Sequence, residues 1–125
     1  MNREIAKKWA TLLRSGDFTK QKGGLANQDR TKHCVMGVLC EVALRGGVDM
    51  EVHPAVGHVG TSISMDFSSF DHSLYVLPTR VKQWAGMASN NGKFGEDQSL
   101  LDCNDYLDLN FCTLADIIEE NVDTL

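Results

Sequence analysis

Apolar residues recur with a helical period in four parts of the chain. The first predicted helix spans residues 2–15, and the second is the long apolar run of residues 33–44, which ends before Gly46-Gly47. A third helix opens at Pro78, and a fourth follows the capping box Thr113-x-x-Asp116. Because the second helix has almost no polar face, we expect it to be buried at the centre of the domain.

Gly37 lies inside this central helix. A glycine in a helix interior costs about 1 kcal/mol relative to alanine. The sequence therefore predicts that a neighbouring helix or strand crosses closely at this position.

The apolar pattern changes to a period of two between the second and third helices. Ile63, Met65 and Phe67 alternate with polar residues, residues 74–77 read as a further short strand, and Gly57 and Gly60-Thr61 fit turns. We expect a small antiparallel sheet within residues 52–77. The whole chain, residues 1–125, is predicted to be one α+β domain of about four helices around the buried central one.

Composition and charge exclude several classes of protein. The chain has 17 acidic and 12 basic residues, a net charge of −5, which argues against broad binding to nucleic acid or to an acidic membrane. No apolar stretch approaches the ~20 residues of a membrane span, and the N-terminal segment does not resemble a secretion signal. We therefore expect a cytoplasmic protein whose four cysteines are free thiols, with no metal and no cofactor.

Cys34, near the start of the central helix, is the candidate nucleophile. A papain-like mechanism needs a thiolate at a helix N-terminus, a histidine base and an orienting Asn or Asp, for which Asn104 and Asp105 are available. The competing interpretation is a buried structural thiol, because Cys34 begins an apolar run. Asn104 and Asp105 equally fit a helix or turn cap, and His53, His58 and His72 fit exposed loops.

A glycine pair next to two lysines is the candidate anion site. Lys20, Lys22, Gly23 and Gly24 could present backbone N–H groups and positive charge to a nucleotide-like ligand, with Trp84 or Phe94 stacking on its base. The spacing matches neither a P-loop nor a dinucleotide-binding motif, and a turn that needs positive φ is the simpler explanation of the glycines.

Four motifs resemble a family of small uncharacterised proteins from tailed phages and bacteria. Residues 9–18 are similar to its phrase W-x-x-A-L-R-S-G-x-Y, and residues 34–43 to its C-C-L-G-V-L-C-[DE]-x-A, with Val35 in place of the second cysteine. Residues 77–84 are similar to L-P-x-x-V-x-x-W, and residues 104–119 to a closing N-D … S-F-x-x-I-A-x-x-I-E. Lys20 stands where the family carries a glutamine. The resemblance implies a phage accessory or host-interaction role.

The resulting expectation is a non-catalytic phage accessory protein of the host cytosol. It would bind and block a host factor, in counter-defence or host takeover, through a protein partner or a small nucleotide-like ligand, without binding DNA directly. The alternatives are a papain-like cysteine hydrolase or deamidase that uses Cys34, and a structural component of the virion.

Overall fold

The computed structural model describes residues 1–59 and 63–125. They form an α+β domain with five helices and two sheets. The helices are α1 (Arg3–Arg14), α2 (Val35–Arg45), α3 (Thr79–Ala85), α4 (Leu100–Asp105) and α5 (Phe111–Glu120). The strands are β1 (Thr19–Lys20), β2 (Ala26–Asn27), β3 (Lys32–His33), β4 (Val52–Val59), β5 (Ile63–Phe70), β6 (Lys93–Gly95) and β7 (Gln98–Ser99).

Helix α2 is the buried centre of the domain, as the apolar run predicts. Nine consecutive residues, Val35 to Ala43, are buried. Trp9 of α1 is fully buried against the start of α2, where its Nε1 donates to the Val35 carbonyl oxygen at 2.9 Å. The helix is therefore fixed to α1 by a polar contact as well as by apolar packing.

The close approach predicted at Gly37 is present. A Cβ on this residue would overlap the carbonyl oxygen of Leu25, which directly precedes β2. The same carbonyl oxygen accepts from the Cys34 N–H at 3.0 Å. A glycine at position 37 thus lets the backbone before β2 lie directly on the first turn of α2.

The main sheet is larger than the sequence predicts. Its strand order is β1-β3-β2-β5-β4, with β1 and β3 parallel and the other neighbours antiparallel. Strands β1, β2 and β3 have two residues each, too few to show a period of two. The strand expected at residues 74–77 is wrong: this segment is irregular, and its Leu74 carbonyl oxygen accepts from the Leu25 N–H at 2.7 Å.

Strands β4 and β5 form a long hairpin that is only half buried. Phe67 at the inner end is 0% exposed, whereas Met65 and Ile63 on the same face are 43% and 60% exposed. The alternation therefore indicates a strand correctly, but it marks a core face only near Phe67. The turn predicted at Gly57 is wrong, because this residue lies within β4 and pairs with Met65. The turn predicted at Gly60-Thr61 lies outside the described residues.

Each of the remaining helices has an identifiable cap residue. Pro78 precedes α3, and Gly86 ends it with φ +68°. The capping box predicted at Thr113 is wrong: the N-cap of α5 is Asn110, three residues earlier, whose Oδ1 accepts from the Thr113 N–H at 2.8 Å. Helix α4, which the sequence analysis does not predict, is capped by Ser99. In the described ranges, no helix combines the length and hydropathy that a membrane span needs.

Candidate functional site

Cys34 is the N-cap of α2 and is almost completely buried. Its side chain is 1% exposed, and its Sγ accepts from the Gly37 N–H at 3.4 Å. Burial raises the pKa of this thiol to about 12, because a thiolate would lose its hydration, and the Gly37 hydrogen bond offsets this only in part. The group is therefore a neutral thiol at physiological pH, in a position that a substrate does not reach.

The four histidines have partners other than Cys34. His33 Nε2 contacts the Glu41 carboxylate at 2.7 Å, and its ring stacks edge-on against Phe18. His53 and His72 lie beside Glu51, and His58 lies at hydrogen-bond distance from Ser64 on the hairpin. The loop position expected for His53 and His58 is wrong, because both are on strand β4. None of these contacts forms the thiol–imidazole pair that papain-like chemistry requires.

Asn104 and Asp105 bind the backbone of other segments. The Asn104 Oδ1 accepts from the Val35 N–H at 3.0 Å, so it caps α2 from a distant part of the chain. Its Nδ2 donates to the Gln21 carbonyl oxygen and to Asp105 Oδ1. All the polar atoms of the Asn104 side chain are therefore used to join α4 to α2 and to the loop after β1.

The lysine–glycine loop is fastened by carboxylates of the chain itself. Lys20 Nζ lies 2.7 Å from Asp108 Oδ1, and Lys22 Nζ lies 3.2 Å from Asp108 Oδ2. The Gly23 N–H donates to Asp105 Oδ1 at 3.2 Å. The structure thus brings Lys20, Lys22 and Gly23 together, but around two aspartates that occupy the position of an external anion.

The other three predicted ligand contacts are not among the partners of Asp105 and Asp108. Gly24 packs against Phe67, where a Cβ would come within 2.5 Å of the Phe67 ring. Phe94 is on β6 and packs against the edge of the core. Trp84 is on α3 and is half-buried in a groove between three helices.

This groove, which we call the α1–α2–α3 groove, has an apolar floor and a cationic rim. Its volume is about 410 Å³, within the usual range of small-molecule sites. Gly46, at the C-terminus of α2, lets the Trp84 indole pack closely, because a Cβ there would come within 2.9 Å of the Trp84 Cζ2 atom. The lining residues are Lys7, Lys8, Thr11, Leu12, Val42, Arg45, Gly46 and Trp84.

The side chains around the groove are positively charged, although the protein as a whole has a negative net charge. Lys7, Lys8 and Arg45 line it, and within residues 1–59 and 63–125 no carboxylate does. In the same part of the chain these three cations have no ion-pair partner, whereas Lys20 and Lys22 are paired with Asp108. A positive concave surface on a protein of net charge −5 attracts small anions.

A second polar cluster, of His33, Glu41 and Arg30, was not predicted from the sequence. Glu41 is buried within α2, and both of its oxygens bind Arg30 while Oε2 also binds His33. Burial alone would raise the pKa of Glu41, but the hydrogen bonds from His33 and Arg30 outweigh it and lower the pKa to about 2. One feature of the sequence could have predicted this cluster, namely a glutamate inside an apolar helix. A buried charge requires partners, so such a residue implies nearby basic side chains.

Side chains that could bind a metal ion do not cluster within residues 1–59 and 63–125. In the described ranges, no group of three or more His, Cys, Asp or Glu side chains is placed to hold one. The α1–α2–α3 groove offers positive charge, hydrogen-bond donors and an aromatic stacking surface.

Comparisons with known proteins identify the family of the chain. Neither the curated proteins nor the solved structures contain a match. A family model described as a domain of unknown function, DUF8296, matches residues 1–122, nearly the whole chain. The chain therefore belongs to the DUF8296 family.

Proposed function

We propose that this protein is a non-catalytic accessory protein that binds a small nucleotide-like anion in the α1–α2–α3 groove. The observation that carries the proposal is the combination of Trp84 with three cations around an apolar floor, none of which has an ion-pair partner among the described residues. An indole offers a stacking surface for a base, and Lys and Arg bind phosphate oxygens. Arg45 at the end of α2 and Lys7 and Lys8 on α1 approach the same space from two sides.

The biological role that we propose is the binding and blocking of a host factor in the cytoplasm. Support for this role comes from the resemblance of the four sequence motifs to phage proteins. Sequestration of a small ligand would fit such a role without any catalytic group. The burial and raised pKa of the Cys34 thiol favour this binding role over a cysteine hydrolase.

Native mass spectrometry of protein purified from cells tests for a captured ligand. We expect an added mass in the range of a nucleotide, and an increase in Tm with at least one member of a nucleotide panel, because a ligand that binds only the folded state stabilises it. A bare protein mass together with no thermal shift across the panel would contradict the proposal.

A protein partner is the second candidate, and the exposed hairpin favours it. Ile63 and Met65 expose large apolar side chains on one face of the hairpin, and apolar side chains that lie together in this way are typical of protein contact sites. A pull-down from host lysate with the wild type and with an Ile63→Lys/Met65→Lys variant tests this candidate. Retention of a specific host protein by the wild type alone would support it, and an identical set of proteins on both would contradict it.

A further inference from the structure

Strand β4 forms an outer edge of the main sheet. The strand order places it last, with β5 as its neighbour. On an edge strand the N–H and C=O groups of every second residue point away from the sheet, where a strand of another molecule can pair with them. Since β4 has eight residues, its edge is long enough for such pairing.

The Tyr75 hydroxyl occupies this edge at His58. The Tyr75 Oη accepts from the His58 N–H at 2.8 Å and donates to the His58 carbonyl oxygen at 3.2 Å. One side chain thus binds both of the backbone groups through which a neighbouring strand would pair with His58. Tyr75 itself lies in the irregular segment after β5.

Two residues near Tyr75 shape the position of its side chain. A Cβ on Gly57 would come within 2.5 Å of the Tyr75 Oη, so this glycine leaves the space that the hydroxyl occupies beside β4. The Phe67 ring contacts the Tyr75 ring edge-on, with 6.0 Å between the centroids. Tyr75 is nevertheless 42% exposed, so burial in the core does not explain why its hydroxyl is held at the strand.

The other outward-pointing positions of β4 are Pro54 and Val56, because the direction of the backbone groups alternates along a strand. Pro54 has no N–H to donate. Val56 has both groups, and none of the described residues outside β5 forms a hydrogen bond with its backbone. With Tyr75 bound at His58, Val56 is the residue at which a second strand could still pair.

Antiparallel pairing of β4 with β4 of a second copy would be centred on Val56. The two Val56 residues would exchange hydrogen bonds, and each His58 N–H would donate to the Pro54 carbonyl oxygen of the other copy. Tyr75 prevents the bonds from His58, because its Oη already holds this N–H. The Val56 exchange alone is shorter than the roughly three residues of the shortest ordinary strands.

We propose that Tyr75 is a blocking residue, which keeps this protein from pairing with a second copy of itself through the outer edge of β4. The partner excluded is a second copy, because the edge is complementary to itself when the pairing is centred on Val56. The α1–α2–α3 groove has no part in this contact, so the proposal succeeds or fails independently of the proposed function.

Sedimentation velocity over a concentration series tests the block. Tyr75→Phe removes the hydroxyl and keeps the ring against Phe67. We expect this variant to dimerise at concentrations about tenfold or more below any at which the wild type does, because the released His58 N–H can donate to the other copy. Tyr106→Phe removes a hydroxyl from a residue that is 83% exposed, and this matched control should behave as the wild type.

A second substitution shows whether such a dimer uses the β4 edge. Adding Val56→Pro to Tyr75→Phe removes the central N–H, at an outward position equivalent to that of Pro54 in the same strand, and should abolish the dimer. A Tyr75→Phe variant that sediments as the wild type does overturns the proposal. A dimer that persists in the double variant also overturns it.

Amide hydrogen exchange on the wild type gives a readout that depends on neither variant. The His58 N–H should exchange more slowly than the Val56 N–H, because Tyr75 protects the first alone. This measurement decides the matter if Tyr75→Phe does not fold. Equal exchange rates at His58 and Val56 would show that Tyr75 does not occupy the edge, and would overturn the proposal.

Discussion

Cys34 shows how burial outweighs a helix terminus at a single residue. The N-terminus of α2 favours a thiolate, and the Gly37 N–H donates to Sγ. The side chain is nevertheless 1% exposed, and loss of hydration raises its pKa to about 12. The position of Cys34 in a helix could be read from the sequence, but its depth in the core depends on packing by distant segments.

Alkylation with iodoacetamide tests the state of the cysteines. Of the four cysteines, Cys112 is exposed and Cys34, Cys40 and Cys103 are buried. We expect one adduct on the folded protein at neutral pH, on Cys112, and four adducts after unfolding in urea. Cys112→Ser is the matched control and should give no adduct when folded. Rapid labelling of Cys34 in the folded protein would contradict its structural role.

Glu41 makes stability depend on pH in an acidic range. Its pKa falls from an ordinary value of 4.5 to about 2, so the folded state binds a proton less readily than the unfolded state. The associated stability is complete above pH 4.5 and is lost as the pH falls towards 2. By linkage its size is on the order of 3 kcal/mol.

Urea denaturation of Glu41→Gln at several pH values measures this contribution. The variant should be less stable than the wild type at pH 7, and the difference should shrink as the pH falls from 4.5 to 2. Asp108→Asn is the control, since Asp108 has a lowered pKa but is exposed, and its difference should be smaller. A difference between Glu41→Gln and the wild type that is constant with pH would contradict this account.

The β4–β5 hairpin is buried at one end and exposed at the other. At its inner end the Phe67 ring packs edge-on against Tyr75. The same ring lies so close to Gly24 and Gly57 that a Cβ atom on either glycine would collide with it. Further out, Met65 on the same face is 43% exposed. Both residues follow the same alternating strand pattern, but only Phe67 is packed in the core, so we expect it to contribute more to the free energy of unfolding.

A pair of substitutions measures this difference. Phe67→Ala should reduce the free energy of unfolding by about 3–5 kcal/mol, because it leaves a cavity. Met65→Ser should change it by less than about 1 kcal/mol, as a surface substitution does. Urea denaturation of both variants gives the comparison. Equal losses would show that the hairpin packs over its whole length.

The elements that the sequence predicts are those with enough residues to show a period. Helices α1 and α2 and the alternating strand β5 were predicted, and so was the close approach at Gly37. The two-residue strands β1 to β3 and the Asn110 cap of α5 depend on partners elsewhere in the chain. A local pattern has no information about those partners.

The proposed site is a property of the whole molecule. The α1–α2–α3 groove combines residues near positions 7–12, 42–46 and 84, and no motif joins them. Of the six ligand contacts predicted from the sequence, Trp84 alone lines it. The lysines next to the glycine pair were the obvious anion site, but Asp108 is their partner in the fold. Only the folded arrangement shows which cations remain available.

Isothermal titration with adenosine and guanosine phosphates tests the groove most directly. The account predicts that at least one nucleotide binds at a single site, and that Lys8→Glu weakens binding at low salt. Lys32→Glu makes the same charge change at an exposed residue of β3, outside the groove, and should leave binding unchanged. Trp84→Ala should weaken binding about tenfold or more, the usual size of one base–aromatic contact. Absence of binding by every nucleotide, or equal affinity for Lys8→Glu and Lys32→Glu, would contradict the account.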